Sequence, residues 1–266
     1  MVAWLGRGTL HLVAREDHPW LLALTAPRQV AGNARRLAQL GVSPGDADRK
    51  VAIVERALAE DGPLTRAQLA ERMGTEGQAT PHLLHRAALQ GLVVREAETF
   101  ALAGPLPRVD RDRALAELAR RYLAAHGPAT PDDLARWIGL PLRDARAGLR
   151  AIGPLDEDGD LVDLPGRTPP PERIPQRLLP MFDPYLLGWR DRSFAVTAEH
   201  ARTVHPGGGM VRAVATVDGL VVGRWTMGGG IEPFAPLDVD FAAELADVAR
   251  FSGDDAAPPA PPRRRR

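Results

Sequence analysis

The sequence contains no cysteine, which excludes disulfide bridges, thiolate metal sites and cysteine nucleophiles. A zinc finger and a zinc-dependent base deaminase are excluded for the same reason. No run of about 18 apolar residues occurs, so no membrane-spanning helix is expected. The start, MVAWLGRGTLHL, lacks the charged and apolar regions of a signal peptide. The sequence therefore predicts a cytoplasmic protein without membrane association.

Lysine is almost absent, since Lys50 is the single lysine and the other 33 of the 34 basic residues are arginine. Acidic residues also number 34, so the net charge is zero. Neutralisation of phosphates supplies most non-specific affinity for nucleic acid, and a binding protein usually shows a basic field. The balanced charge argues against such a field, and any nucleic-acid binding must depend on a localised face.

An internal repeat is the most informative feature of the chain. The stretch DGPLTRAQLAERMG (61–74) returns as HGPATPDDLARWIG (126–139), with six identities in fourteen positions at a shift of 65 residues. Each copy follows an amphipathic helix and opens a second helix, for which Thr65 and Thr130 are the predicted N-caps. Gly74 and Gly139 are the predicted terminators. The pattern indicates a duplicated unit.

A third helix and a hairpin complete each copy. Residues 80–91 read as a helix with Thr80 as N-cap, and 140–153 as a helix with one apolar stripe. Strand-like pairs follow at 92–103 and 154–164, the latter around Asp158-Gly159. Three helices and a hairpin in about 55 residues are typical of a winged helix. The predicted winged helices span 50–105 and 106–165.

The rest of the chain frames these units. Residues 14–41 read as a helix, and the proline-rich stretch 164–176 as a linker. Residues 166–251 alternate in the manner of strands, with Asp218-Gly219 as a turn and 237–251 as a closing helix. The composition of 252–266 predicts a disordered tail. The fold class expected is α+β: tandem winged helices, then a mainly β region with a closing helix.

Three blocks carry a family resemblance: 4–24 (WLGRGTLHLVAREDHPWLLAL), 178–193 (LLPMFDPYLLGWRDRS) and 205–225 (HPGGGMVRAVATVDGLVVGRW). In this order they resemble the bacterial winged helix DNA-binding family that includes the interstrand-crosslink-unhooking DNA glycosylases of the azinomycin-resistance type. The resemblance runs from about residue 3 to 251. It implies a double-stranded DNA partner, alkylated or crosslinked, and in active members hydrolysis of the glycosidic bond of an alkylated purine.

The chain departs from that family at the catalytic motif. The resemblance implies a Gln-x-Gln or Gln-x-Asp pair upstream of the block matching RGTLH, which here begins at residue 7. None of the six glutamines has Gln or Asp two residues later. Residues 1–49 are therefore interpreted as the remnant of a first unit plus a linking helix, from a misassigned start or a genuine remnant gene. The apolar side chains of 4–13 are expected to lack packing partners, and no catalytic residue is assigned.

DNA-contacting residues are predicted on three faces. Arg143, Arg146 and Arg150 lie opposite the apolar stripe of the third helix of the second copy, where they suit phosphate or base contact or a solvated face. His82, Arg86 and Gln90 occupy what reads as a comparable face in the first copy. Arg190 and Arg192 belong to a polar group with Asp183, Tyr185 and Asp191, which a salt-bridged corner explains equally well.

No cofactor or metal is expected. His82 and His85 are three residues apart and His200 and His205 five apart, but neither pair has the His-Glu-x-x-His arrangement or a third ligand set by spacing. The glycine runs at 207–209 and 228–230 lack the lysine and helix of a phosphate-binding loop.

Three function classes remain open. The first, which the missing motif favours, is a DNA-binding winged-helix protein without a catalytic centre of its own. The second is an alkylpurine DNA glycosylase whose N-terminus is missing from the sequence. The third is a winged-helix module that binds protein, which the neutral charge permits.

Overall fold

A computed structural model of the chain describes residues 1–169, 171–228 and 230–253. It divides into two compact regions at Pro165 and Gly166. Both helices and antiparallel sheets are present, which confirms the α+β class. No helix among the described residues is long and apolar enough to cross a membrane. The tail predicted at 252–266 lies outside the described residues beyond Gly253.

The N-terminal region contains two three-helix units, each followed by a hairpin. The first unit comprises α2 (Pro44–Asp61), β3 (Leu64–Thr65), α3 (Arg66–Met73), α4 (Ala79–Leu89), β4 (Val93–Glu96) and β5 (Thr99–Leu102). The second comprises α5 (Arg111–His126), α6 (Pro131–Ile138), α7 (Leu142–Ala151), β6 (Asp156–Asp158) and β7 (Leu161–Asp163). Preceding both are β1 (Val2–Trp4), β2 (Leu10–Leu12) and α1 (His18–Gln39).

The second helices α3 and α6 occupy the positions that the 65-residue shift predicts. Thr65 and Thr130 cap them, and each forms a reciprocal capping box, with Gln68 and with Asp133. Gly74 and Gly139 end them in the left-handed conformation, which glycine adopts without steric cost. Leu64 pairs with Phe100 in the first unit, and Ala129 forms the corresponding bridge to Val162 in the second. The predicted caps and terminators are confirmed.

Two helix starts differ from the expectation. α2 begins at Pro44, upstream of the expected boundary at 50, because the Ser43 hydroxyl accepts a hydrogen bond from the amide of Asp46. α4 begins at Ala79, so Thr80 lies inside the helix rather than at its cap. The Thr80 hydroxyl is buried and lies 3.0 Å from that of Thr75, which gives it a local partner.

The N-terminal hairpin, β1 and β2, packs against the first unit. Its strands join β3–β5 in a five-stranded sheet of order β2-β1-β4-β5-β3, with Val2 opposite Arg95. Ala3 and Leu5 are buried in a cluster with side chains of α1 and α4, and Trp4 stacks on Phe100. The expectation that residues 4–13 lack packing partners is wrong for Trp4 and Leu5. Leu10 and Leu12 are 41% and 83% exposed.

In the second unit, α7 lies close to α5 because of one small residue. A Cβ built on Gly148 would lie 2.5 Å from the backbone oxygen of Leu115, so any larger residue forces the helices apart. Leu115, Leu118 and Leu149 are buried on the facing surfaces. This packing fixes which side of α7 faces outward.

The C-terminal region is built on an antiparallel sheet of order β11-β10-β9-β8, from β8 (Arg177–Leu179), β9 (Val214–Val217), β10 (Leu220–Thr226) and β11 (Gly230–Pro233). Asp218 and Gly219 form the two-residue turn between β9 and β10, both with positive φ as the sequence predicts. Short helices α8 (Pro184–Leu187) and α9 (Ala201–Val204) lie between β8 and β9. The closing helix α10 spans Ala242–Ser252 and begins five residues later than the expected 237.

Candidate nucleic-acid interface

The arginine row, Arg143, Arg146 and Arg150, lies on the exposed side of α7. The opposite side of the helix is buried, as the apolar stripe predicts. The structure therefore brings these three guanidinium groups together on one face. Planar guanidinium groups donate several hydrogen bonds in a fixed geometry that suits phosphate oxygens and base edges.

Most arginines around this row are paired with carboxylates. Arg111 contacts Asp144 at 2.7 Å, and Arg121 contacts Asp17 at 2.7 Å and Glu117 at 2.6 Å. Within the described part of the chain, Arg146 and Arg150 form no ion pair. Arg143 is 84% exposed and reaches Asp144 only at 3.4 Å. The row is thus a local concentration of positive charge on α7.

A groove separates α7 from the following hairpin. Its volume is about 440 Å³, and its lining includes Arg146, Leu149, Arg150, Leu155, Glu157 and Val162. Two guanidinium groups and one carboxylate therefore line the same groove. A ligand that enters the groove meets both signs of charge.

The third helix of the first unit, α4, is covered by α1. The Asn33 amide donates to the backbone oxygen of His82 at 2.9 Å, and His85 lies 3.1 Å from the side-chain oxygen of Gln29. Trp4 stacks on the His85 ring at 5.4 Å. Burial, with a smaller contribution from His82, lowers the pKa of His85 to about 4, so this imidazole is neutral at pH 7.

The three residues predicted on α4 have different surroundings. Arg86 is only 17% exposed and pairs with Asp48 of α2 at 2.6 Å, so it holds two helices together. His82 is half-buried, and burial followed by the charge of Arg36 lowers its pKa. Gln90 is exposed at the end of the helix. The structure does not bring the three into an open cationic face.

The prediction that α4 and α7 expose comparable faces is wrong. Gly91 and Gly153 follow α4 and α7 at the same distance from the helix end, 62 residues apart. At that shift the arginine row corresponds to Pro81, Leu84 and Ala88. Leu84 and Ala88 are 0% and 2% exposed. Aligning the two terminal glycines in the sequence would have shown that apolar residues occupy these positions.

The polar group of the C-terminal region is held mainly by local hydrogen bonds. Asp183 caps α8 by accepting from the amide of Tyr185 at 2.8 Å, and the Tyr185 hydroxyl donates to the Gly219 oxygen at 2.7 Å. Arg192 donates to the backbone oxygen of Leu186. Asp191 accepts from the amide of Ser193, and Arg190 is exposed. Much of this group thus orders the turn around α8.

Among the residues that the structure describes, no group of three histidine or acidic side chains is arranged to hold a metal ion. His200 instead lies against the ring of Phe234, at 4.0 Å between centroids. Burial, followed by the charge of Arg192, lowers the pKa of His205.

Comparison with known proteins identifies the class. The profile of the AlkZ-like DNA glycosylases matches residues 1–251, so the chain belongs to the family of DNA glycosylase AlkZ-like proteins.

A characterised relative is the interstrand DNA cross-link repair glycosylase of Streptomyces sahachiroi. It is 28% identical over 304 aligned positions, which cover 97% of this chain and 80% of the relative. The solved structure of Streptomyces sahachiroi DNA glycosylase AlkZ superposes with a TM-score of 0.74 at 25% identity, over 97% of this chain and 80% of that one. The family resemblance seen in the three sequence blocks is confirmed.

Proposed function

We propose that this protein binds double-stranded DNA through the arginine row on α7, and that both three-helix units are winged helices derived from a tandem duplication. The observation that carries the proposal is the row itself: exposed guanidinium groups on the third helix of such a unit, in a member of a DNA glycosylase family. In three-helix variants of the helix-turn-helix, the third helix is the one placed against DNA. The named activity of the relative, interstrand DNA cross-link repair, supports crosslinked duplexes as the substrate class.

The proposal includes DNA binding without base excision by residues 1–266. No Gln-x-Gln or Gln-x-Asp pair occurs in the sequence, and several glutamines have structural partners. Gln29 donates to the Leu5 oxygen at 2.6 Å, Gln68 belongs to the capping box of α3, and Gln176 donates to the Asp240 oxygen at 3.2 Å. Cleavage of an alkylpurine glycosidic bond requires a water and polar groups held within well under about 1 Å of their working positions.

Salt-dependent binding to a mixed-sequence duplex tests this function. Replacement of all three arginines with alanine is expected to weaken binding and to lower the slope of log K against log salt by about 0.9 for each phosphate that is no longer neutralised. The matched control replaces Arg28, Arg35 and Arg56, three exposed arginines of α1 and α2, and is expected to keep the wild-type slope. Equal slopes for wild type and the α7 variant would refute DNA contact by the arginine row. Absence of salt-dependent binding by wild type would favour a protein-binding module.

Base excision is the second candidate, favoured by the match to the glycosylase family over residues 1–251. The test incubates the chain with duplex DNA that contains N7-alkylguanine and measures abasic sites against spontaneous depurination. We expect no excess. Clear turnover would place a catalytic centre within residues 1–266.

DNA contacts stay predictions for five further residues: His82, Arg86, Gln90, Arg190 and Arg192. Gln90 and Arg190 are exposed to solvent, where a ligand can reach them. Arg86 would have to leave Asp48, and Arg192 would have to leave the Leu186 oxygen. Single alanine variants, measured in the same salt titration, test each contact.

A further inference from the structure

The hairpin that follows α7 is acidic. Asp156, Glu157, Asp158 and Asp160 are all exposed, and within the described residues none of them forms an ion pair. The corresponding hairpin of the first unit has balanced charges, since Arg95 contacts Glu98 at 3.1 Å and Arg15 contacts Glu96 at 2.5 Å. The second unit therefore carries positive charge on its third helix and negative charge on its hairpin.

This arrangement is unsuited to gripping a phosphate chain between helix and hairpin. Glu157 lines the same groove as Arg146 and Arg150, so a phosphate drawn in by the arginines is repelled by this carboxylate. An ionised carboxylate has only acceptor capacity. The group that Glu157 can bind favourably must carry N–H donors, and in duplex DNA these are the amino groups on base edges.

The positions of amino groups differ between base pairs. A G·C pair presents an amino donor in both grooves, the cytosine N4 group in the major groove and the guanine N2 group in the minor groove. An A·T pair presents one only in the major groove. A carboxylate held next to arginine-bound phosphates can therefore accept hydrogen bonds from G·C pairs in either groove, but from A·T pairs only in the major groove. Averaged over the two grooves, it binds G·C pairs more favourably.

We propose that Glu157 is a base-contacting specificity residue that gives the second unit a preference for G·C pairs, while Arg146 and Arg150 hold the adjacent phosphates. This inference rests on the proposed DNA binding through the arginine row. It adds to that function a sequence preference and a residue that sets it.

The test compares binding of the full chain to G·C-rich and A·T-rich duplexes of equal length. The A·T-rich duplex contains no A-tract, because a narrow minor groove attracts arginine for other reasons. We expect wild type to bind the G·C-rich duplex about tenfold more tightly, within the range for one good base contact. In Glu157→Ala the ratio is expected to fall close to one, mainly because the A·T-rich duplex binds better once the repulsion is removed.

Asp160→Asn is the matched control, since it removes one exposed negative charge from the same hairpin but does not line the groove. It is expected to strengthen binding to both duplexes by the same factor and to leave the ratio of the two affinities at the wild-type value. Equal effects of the two variants on the ratio, or a wild-type ratio of one, would overturn the inference while leaving the proposed function intact. Absence of salt-dependent binding by wild type would overturn both.

Discussion

The two three-helix units have the same scaffold and opposite exposure of their third helix. In the first, α4 lies beneath α1 and the N-terminal hairpin, and apolar residues stand where the second unit has its arginine row. In the second, α7 packs on α5 through Gly148 and leaves its other side open. The comparison shows that the same three-helix scaffold can have its third helix covered by neighbouring elements or left open on one side. What decides between them is which side of the third helix its neighbours cover.

The largest expected difference between the units is in the free energy of unfolding. Leu84→Ala is expected to cost about 2–5 kcal/mol, because Leu84 is fully buried and its removal leaves a cavity. Arg146→Ala, at the corresponding position of α7, is expected to change stability by no more than about 0.5 kcal/mol. Urea denaturation of both variants measures the difference. Similar destabilisation at the two positions would mean that α7 is covered as α4 is.

The two N-capping threonines are expected to differ less in their contributions to the free energy of unfolding. Thr65→Ala and Thr130→Ala each remove a capping hydroxyl, at a cost of about 1 kcal/mol. We expect Thr130→Ala to destabilise more than Thr65→Ala. The Thr130 hydroxyl donates to the buried carboxylate of Asp133, whereas the Thr65 hydroxyl donates to the exposed, neutral side chain of Gln68. Thr→Ser variants, which keep the hydroxyl, serve as controls and should recover most of the stability in the same denaturation series. A larger effect at Thr65 would contradict this account.

The smallest expected effect is a pH dependence that belongs to the first unit. The pKa of His85 is lowered to about 4 in the folded protein, so between that value and about 6.5 the unfolded chain binds the extra proton. The contribution of His85 to stability is complete above pH 6.5 and is lost as the pH falls towards 4. The corresponding residue of the second unit is Ala147, which cannot titrate.

His85→Gln keeps a donor for Gln29 and removes the titration. We expect Tm to fall less between pH 7 and pH 4.5 in this variant than in wild type. Buried His18 and His126 also have lowered pKa values, so part of the wild-type dependence should persist. His11→Gln, a change on the N-terminal hairpin, is the control. Superimposable Tm curves for wild type and His85→Gln would show that the buried imidazole is not the source.

Local features could be predicted from the sequence where a few neighbouring residues determine the backbone conformation. The capping threonines, the glycines that end α3 and α6, and the Asp218-Gly219 turn all follow from short-range hydrogen bonding and allowed φ values. The apolar stripe of α7 correctly placed its arginines on the exposed side. Thr80 is not the cap, because the helix begins two residues earlier than a cap at Thr80 implies and the buried Thr80 hydroxyl has Thr75 as its partner.

Periodicity and short motifs were enough to establish the repeated helices and hairpins, the family and the arginine row, because each of these is encoded within a few turns of chain. The folded chain was needed to show that α1 and the N-terminal hairpin cover α4, that Asp48 holds Arg86, and that Glu157 lines one groove with Arg146 and Arg150. These contacts depend on how separate elements pack. Periodicity shows that a helix has an apolar side but not which other element packs on it, since that depends on how all the buried surfaces fit together.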